Sequence, residues 1–223
     1  MNLKTPTSAK DLMSLYMEYV TQLKGDSASV EDFSTYSKIT EEQFYISYSD
    51  IKAIERDIWS FILNDAIDTI SNDPQYATFG QVEKLLSFFY TFFESLTLNK
   101  AYFLAHLSIR PSFNERREVA KGMKTPFHNY IEATIGSNAL SGLGVDQVDF
   151  VNDIVHRGQK EGFWIQLMCL IDFWNKDQSE GKEKTDIAIE KSVRAAIDLI
   201  EIAPVKSLFD LGRFIWQEKR NSN

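Results

Sequence analysis

Apolar residues recur at intervals of three and four over most of this chain, which is the spacing of one face of an α-helix and not that of a β-strand. The 223 residues include only 5 prolines and 10 glycines, so few positions interrupt the pattern. Hydrophobic residues make up 43% of the chain, enough apolar surface to offset the entropy lost when the backbone becomes ordered. The sequence therefore predicts an all-α protein with a large buried core.

Residues that cap or break helices set the predicted boundaries. The side chains of Ser8, Ser29, Thr40 and Asp50 can each accept a hydrogen bond from the first turn of a helix. Pro74 follows the fourth helix and marks a joint, because proline disfavours helical backbone around it. Helices are predicted over residues 8–24, 29–36, 41–48, 51–71, 79–98, 145–177, 184–202 and 204–219.

Two of these segments are apolar around nearly their whole circumference. Residues 79–98 carry a dense group of aromatic rings, which predicts a place at the centre of the larger domain. Residues 163–174 place large apolar groups on every side. A single subunit is not expected to cover all of them. Together with the helix over 184–202, which has small residues at Ala195 and Ala196, this segment predicts a homodimer.

The charge and the first residues of the chain limit the classes of function. A net charge of −8 argues against indiscriminate binding to nucleic acid and leaves room only for a local basic face. The N-terminal residues lack the apolar run of a signal peptide, and no stretch reaches the roughly 20 apolar residues that cross a bilayer. These features predict a cytoplasmic protein without membrane insertion.

No arrangement of residues predicts catalysis. His106, His128 and His156 are far apart in sequence, and neither a His-Glu-x-x-His pair nor a glycine-rich phosphate loop occurs. Cys169 is the one cysteine, and its apolar neighbours predict a small buried side chain without a disulfide or a thiolate metal site. The sequence therefore predicts a protein that is not an enzyme and that needs no cofactor or metal.

Three short helices near the N-terminus, with a tight turn between the second and third, form the outline of a helix-turn-helix unit. Residues 30–48 read Val-Glu-Asp-Phe-Ser-Thr-Tyr-Ser-Lys-Ile-Thr-Glu-Glu-Gln-Phe-Tyr-Ile-Ser-Tyr. This segment resembles the signature of the tetracycline-repressor (TetR) family. Ile39 stands at the buried turn position, Thr40 at the capping position and residues 44–48 at the closing aromatic motif.

The resemblance implies both a fold and a function. The fold is all-α, with a small helix-turn-helix domain over residues 1–50 and a larger C-terminal domain over residues 51–223. The first helix of the larger domain, over residues 51–71, connects the two. The implied function is a one-component transcriptional regulator that binds a DNA operator as a dimer and is released or retuned by a hydrophobic small-molecule effector. The alternative is a protein of the same fold that binds a lipid or hydrophobic metabolite and does not bind DNA.

Departures from the family pattern bear on DNA binding. Lys38 stands where the family usually has glycine, and Ile51 stands where it usually has lysine. Glu41 and Glu42 occupy positions expected to face the bases, where a carboxylate can accept a hydrogen bond from cytosine but is repelled by phosphate. The first 50 residues contain four lysines and eight acidic residues. This balance favours the alternative, whereas the intact closing motif favours the regulator.

The resemblance assigns three sets of candidate residues. The predicted DNA contacts are Lys38, Thr40, Glu42, Gln43, Tyr45, Ser47, Tyr48 and Lys52. The predicted effector contacts, which the sequence equally allows to form a filled aromatic core, are Phe89, Tyr90, Phe93, Tyr102, Phe103, His106, Phe127, Tyr130 and Trp164. The predicted dimer contacts are Phe163, Leu167, Leu170, Phe173, Trp174, Val193, Ala196, Ile197 and Ile200.

Overall fold

The structure is a computed structural model that describes residues 8–23, 28–110, 112–136 and 149–202, without the side chains of 149–155 and 201–202. The described residues form α-helices and short 3-10 helices and contain no strand, which confirms the all-α prediction. The helix predicted over 204–219 lies outside them. The α-helices are α1 (Ala9–Gln22), α2 (Val30–Ser37), α3 (Glu41–Ser47), α4 (Ile51–Ser71), α5 (Gln81–Leu98), α6 (Lys100–Ser108), α7 (Phe113–Val119), α8 (Lys124–Ile135), α9 (Asp149–Lys176) and α10 (Glu183–Ile202).

Each of the first four helices starts directly after the residue predicted to cap it. The Oγ atom of Ser8 accepts a hydrogen bond from the backbone N–H of Asp11 at 3.2 Å, and Asp50 accepts one from Ala53 at 2.8 Å. The caps of α2 and α3 follow the same pattern. Because a helix leaves the N–H groups of its first turn unpaired, one polar side chain is enough to fix each start.

The described residues pack into two compact units. The first unit contains the described residues of Met1–Asp73 and Tyr90–Pro126, and the second contains those of Pro74–Phe89 and Phe127–Asn223. Both α5 and α8 therefore contribute residues to each unit. The domain boundary predicted at residue 50 lies inside the first unit, and the predicted division into two domains stays a prediction.

The first unit is built around α4. Helix α1 packs against α4 and α6, and the 3-10 helix Ala120–Met123 lies along α4. A Cβ atom added to Gly122 would lie 2.6 Å from the backbone carbonyl oxygen of Arg56, so only glycine allows this approach. The buried residues of α4 are Ile54, Glu55, Ile58, Trp59, Ile62, Leu63, Ala66 and Ile70.

The second unit has an aromatic core. The ring centroid of Phe88 lies 4.7 Å from that of Tyr130 and 5.5 Å from that of Phe127, and Trp164 lies 6.3 Å from Phe127. The Tyr130 hydroxyl donates a hydrogen bond to the carbonyl oxygen of Lys84 at 2.8 Å. Ring pairs at such separations contribute stability beyond the area that they bury, and the Tyr130 hydroxyl is satisfied.

Asp177 organises the turn between α9 and α10. Its carboxylate accepts hydrogen bonds from the backbone N–H and the hydroxyl of both Ser179 and Thr185, at 2.7–2.9 Å. Burial alone would raise the pKa of Asp177, but these four hydrogen bonds outweigh burial and hold the pKa well below its ordinary value. Lys182 closes the turn by donating to the carbonyl oxygens of Trp174 and Asp177.

Helix α9 turns one face outward, which confirms the prediction that one subunit does not cover all the large apolar groups of residues 163–174. Ile165 and Phe173 are 53% and 43% exposed, because positions four residues apart share a face and this one points away from the core. Cys169 lies between them and is exposed, which contradicts the predicted buried thiol. The buried residues of this segment are Phe163, Trp164, Leu167, Met168, Leu170, Ile171 and Trp174.

Candidate functional site

The turn between α2 and α3 depends on a left-handed backbone conformation at Lys38. This residue has φ of 57° and ψ of 39°, and its N–H donates to the carbonyl oxygens of Ser34 and Thr35. The N–H of Ile39 then donates to the Ser34 carbonyl oxygen at 3.1 Å. The left-handed conformation costs an L-residue roughly 1–2 kcal/mol and costs glycine little. This geometry explains why glycine is usual at the matching position of the TetR pattern.

A capping box fixes the start of α3. The Thr40 Oγ1 atom accepts a hydrogen bond from the Gln43 backbone N–H at 3.2 Å, and the Gln43 Oε1 atom accepts one from the Thr40 backbone N–H at 2.9 Å. Gln43 is predicted to read bases, but its side-chain oxygen is engaged here. The amide nitrogen of Gln43 makes no such bond at the cap and can donate to a base.

Aromatic packing holds α3 in place. The buried ring of Phe44 lies 6.0 Å from that of Phe33 and 5.9 Å from that of Tyr48. Tyr48 is also buried, and its hydroxyl donates to Asp57 at 2.9 Å. Tyr48 is therefore not available as the predicted DNA contact, because its ring lies in the core and its hydroxyl is bonded to α4.

The side of α3 opposite Phe44 faces outward. Each residue of an α-helix turns the chain by about 100°, so Glu42 and Ile46 both lie about 160° from Phe44 and form the outermost ridge. Ile46 is 84% exposed, and Tyr45 beside it is 52% exposed. The predicted DNA contacts that the structure exposes are Lys38, Thr40, Glu42, Gln43, Tyr45, Ser47 and Lys52.

The surface around α2 and α3 is acidic. Between residues 28 and 52 the cations are Lys38 and Lys52, and both are exposed. The same stretch exposes five carboxylates, which repel phosphate. They belong to Glu31, Asp32, Glu41, Glu42 and Asp50.

A buried ion pair joins three helices of the first unit. Glu55 on α4 is 1% exposed and accepts two hydrogen bonds from one guanidinium nitrogen of Arg110, at 2.5 and 2.6 Å. Tyr16 on α1 donates its hydroxyl to the same carboxylate at 2.8 Å. Because Arg110 directly follows the last turn of α6, both α1 and the end of α6 are bonded to one carboxylate of α4.

His106 lies beside this ion pair as a neutral group. Burial and the neighbouring charge of Arg110 lower the pKa of His106 well below its ordinary value. Trp59 donates its indole N–H to the Nε2 atom of His106 at 3.2 Å, and the ring of Tyr102 stacks on the imidazole. His106 and Tyr102, both predicted effector contacts, are thus part of a packed network in the core.

The predicted effector contacts are divided between the two units. The first unit contains Tyr90, Phe93, Tyr102, Phe103 and His106, and the second contains Phe89, Phe127, Tyr130 and Trp164. All are buried except Tyr90, which is 38% exposed. A shallow pocket between α8 and α9 is lined by other residues. An effector site among the nine stays a prediction.

Most of the predicted dimer contacts are used within the chain itself. The buried ones are Phe163, Leu167, Leu170, Trp174, Val193 and Ile197. Phe173 is exposed, and Ala196 and Ile200 are half-buried. The large apolar residues that α9 and α10 expose are Ile165, Phe173, Ile187 and Leu199.

Sequence reasoning missed Glu55, Arg110 and Ile46. Glu55 lies on the apolar stripe of α4. A carboxylate in such a position requires a buried partner, so the stripe itself could have indicated an ion pair. Its partner Arg110 is 55 residues away in sequence, and no local pattern links the two. Ile46 is exposed because it lies opposite the buried Phe44. The helical periodicity of α3 alone would have predicted this position.

Two further properties hold for the part of the chain that the structure describes. It contains no group of three or more His, Cys, Asp or Glu side chains that could hold a metal ion. It also contains no helix that is both long enough and apolar enough to cross a membrane.

Capped helices α1 to α3, the long helix α4 and the aromatic helices beyond it define an all-α protein of the helix-turn-helix class. The sequence model of the tetracyclin repressor-like C-terminal domain matches residues 84–215, which is more than half of the chain. The chain therefore belongs to the TetR family of transcriptional regulators.

Comparison with solved structures finds a TetR-family transcriptional regulator from Streptomyces coelicolor. That protein is 12% identical in sequence and has a TM-score of 0.46, over 94% of this chain and 99% of its own. No curated protein matches the sequence.

Proposed function

We propose that this TetR-family protein binds operator DNA as a dimer through α3 and that a hydrophobic effector controls this binding. One observation carries the DNA-binding part of the proposal. The left-handed turn at Lys38 and the capping box at Thr40 present α3 as a separate ridge with its outer side exposed. A helix presented in this way matches the recognition helix that helix-turn-helix proteins place in the major groove.

The proposed contacts divide by chemistry. Lys38 and Lys52 are exposed cations at the two ends of the α3 region and are proposed to contact phosphates. The exposed hydroxyls of Thr40, Tyr45 and Ser47 are proposed to donate to phosphate oxygens as well. Because residues 28–52 expose only two cations, we expect modest affinity that depends on the match between the outer ridge of α3 and the bases.

Gel retardation with the DNA upstream of its own gene tests the proposal. We expect a retarded complex whose affinity falls with salt, because phosphate contacts release counterions. Lys52→Ala is expected to flatten the slope of log affinity against log salt by about two units, roughly one for each subunit. Lys100→Ala removes an exposed lysine from α6 and is the matched control, with no expected change in slope. An unchanged slope in Lys52→Ala would contradict the assigned contact.

The acidic surface around α2 and α3 supports a second candidate function. Five exposed carboxylates against two lysines favour a protein of this fold that binds a lipid or hydrophobic metabolite without binding DNA. The same retardation experiment separates the two candidates. Absence of any complex at low salt, with any duplex offered, would favour the second candidate.

The effector part of the proposal rests on the aromatic core of the second unit. Phe88, Phe127 and Trp164 supply apolar walls, and Tyr76 and Tyr130 supply hydroxyls 3.0 Å apart. Apolar walls with a few polar tips suit a hydrophobic small molecule. Because the rings pack on one another in this structure, we propose that an effector displaces some of them on binding.

The proposed dimer uses the outward face of α9. Ile165, Cys169 and Phe173 are spaced by four residues and form an exposed stripe. Gly158 and Gly162 continue it toward the N-terminus of α9, where an added Cβ would meet nothing within 4 Å. An apolar stripe bordered by small residues lets a second copy of the helix approach closely.

Replacing Ile165 by glutamate is expected to convert the dimer into a monomer, because each copy would bury an unpaired carboxylate at the interface. Light scattering at micromolar concentration measures the mass. Leu98→Glu is the matched control, because Leu98 is 79% exposed on α5. We expect this variant protein to stay dimeric. A monomeric wild-type protein at that concentration would contradict the dimer.

A further inference from the structure

We propose that Ile46 determines operator specificity by contacting the methyl group of a thymine in the major groove. This inference rests on the proposed DNA binding and adds a specific reading residue to it. Ile46 is 84% exposed, more than any other large hydrophobic residue of the described chain. No packing within the described residues accounts for an isoleucine in this position.

The position of Ile46 on α3 makes it a base contact rather than a phosphate contact. With Glu42 it forms the ridge opposite the buried Phe44, so these two side chains would enter a groove first. Lys38 lies before α3 and Lys52 lies after it in the chain, and these two exposed cations are the proposed phosphate contacts. An apolar side chain gains nothing from a phosphate, whereas a base edge on the floor of the groove can offer an apolar group to it.

The chemistry of the major groove then selects the partner. Three of the four bases present only hydrogen-bond donors and acceptors there, whereas thymine adds an apolar methyl group at C5. Guanine is read mainly by arginine or lysine, and α3 contains neither. Since Ile46 can offer only its aliphatic surface, thymine is the base that it can distinguish.

The experiment uses duplexes selected by the full-length protein from a random-sequence DNA library. Each thymine of a selected duplex is replaced in turn by deoxyuridine, which removes the methyl group and leaves every hydrogen bond unchanged. Affinities are measured by fluorescence anisotropy at one fixed salt concentration. Burying one methyl group corresponds to about a fourfold change in affinity. We expect a loss of about three- to fivefold at one thymine of each half-site.

Variants assign this loss to Ile46. Ile46→Ala is expected to bind thymine and deoxyuridine duplexes equally, because the contacting side chain is gone. Leu98→Ala is the matched control, an exposed aliphatic residue on α5 whose loss is expected to preserve the full deoxyuridine effect. Because Ile46 and Leu98 are exposed, we expect both variants to keep their helices. Circular dichroism checks this.

The possible results are distinguishable. A wild-type protein that tolerates deoxyuridine at every position would overturn the role of Ile46 while leaving DNA binding intact. A deoxyuridine loss that is equal in wild type and in Ile46→Ala would assign the methyl contact to another residue and also overturn the inference. Recovery of no duplex from the library would overturn the proposed DNA binding and the inference together.

Discussion

Replacing Arg110 by methionine is expected to lower the free energy of unfolding by about 3–5 kcal/mol, one of the largest effects of any single substitution in this chain. The variant leaves the Glu55 carboxylate buried at 1% exposure, with the Tyr16 hydroxyl bonded to it and the Nδ1 atom of neutral His106 3.6 Å away, but without a cation to balance its charge. Urea unfolding followed by circular dichroism measures the change, with the midpoint and slope fitted together.

A double variant separates the ion pair from ordinary packing. Replacing Glu55 and Arg110 together by methionine removes both charges and keeps apolar volume in the core, so we expect it to be more stable than Arg110→Met alone. If Arg110→Met instead unfolds within about 0.5 kcal/mol of wild type, the level of an ordinary surface substitution, then the pair is not formed as described.

Replacing Asp177 by alanine is expected to cost about 2–4 kcal/mol, because hydrogen bonds to a charged acceptor contribute about 1.5–3 kcal/mol each and do not add fully. Four such donors, two from Ser179 and two from Thr185, lose their acceptor in this variant. Glu190→Gln is the matched control, since its exposed pair with Arg194 is expected to contribute no more than about 0.5 kcal/mol.

The same carboxylate makes stability depend on pH in a defined direction. The folded chain holds the pKa of Asp177 below its unfolded value of about 3.9, so its contribution is present above that pH and is lost as the pH falls further. Wild type is therefore expected to lose stability more steeply than Asp177→Ala below about pH 4. Equal slopes of unfolding free energy against pH in the two proteins would count against this assignment.

The parts of the fold that follow from local chemistry could be predicted. Ser8, Ser29, Thr40 and Asp50 each accept hydrogen bonds from the next few residues, so the sequence alone contains all the information about these helix starts. The left-handed turn at Lys38 was not predicted, because lysine itself does not indicate it and only the glycine usual in the TetR pattern points to such a conformation. Capping and turn geometry need no knowledge of distant packing.

Burial of individual side chains could not be predicted in the same way. Tyr48 belongs to a motif that suggests a DNA contact, yet its hydroxyl reaches Asp57 on the next helix. The segment 163–174 looks apolar on all sides because Ile165 and Phe173 are as hydrophobic as the residues that the core selects. Which face of such a helix is covered depends on the position of its neighbours, and a single sequence does not contain this information.

The left-handed backbone conformation of Lys38 sets stability against charge at this position. Glycine there would relieve roughly 1–2 kcal/mol of conformational strain, and it is a single-residue change. It would also remove one of only two positive charges from an otherwise acidic stretch between residues 28 and 52. A lineage under pressure for stability alone would be expected to drift toward glycine. Retention of lysine across relatives would therefore indicate that its charge is under selection independently of the turn.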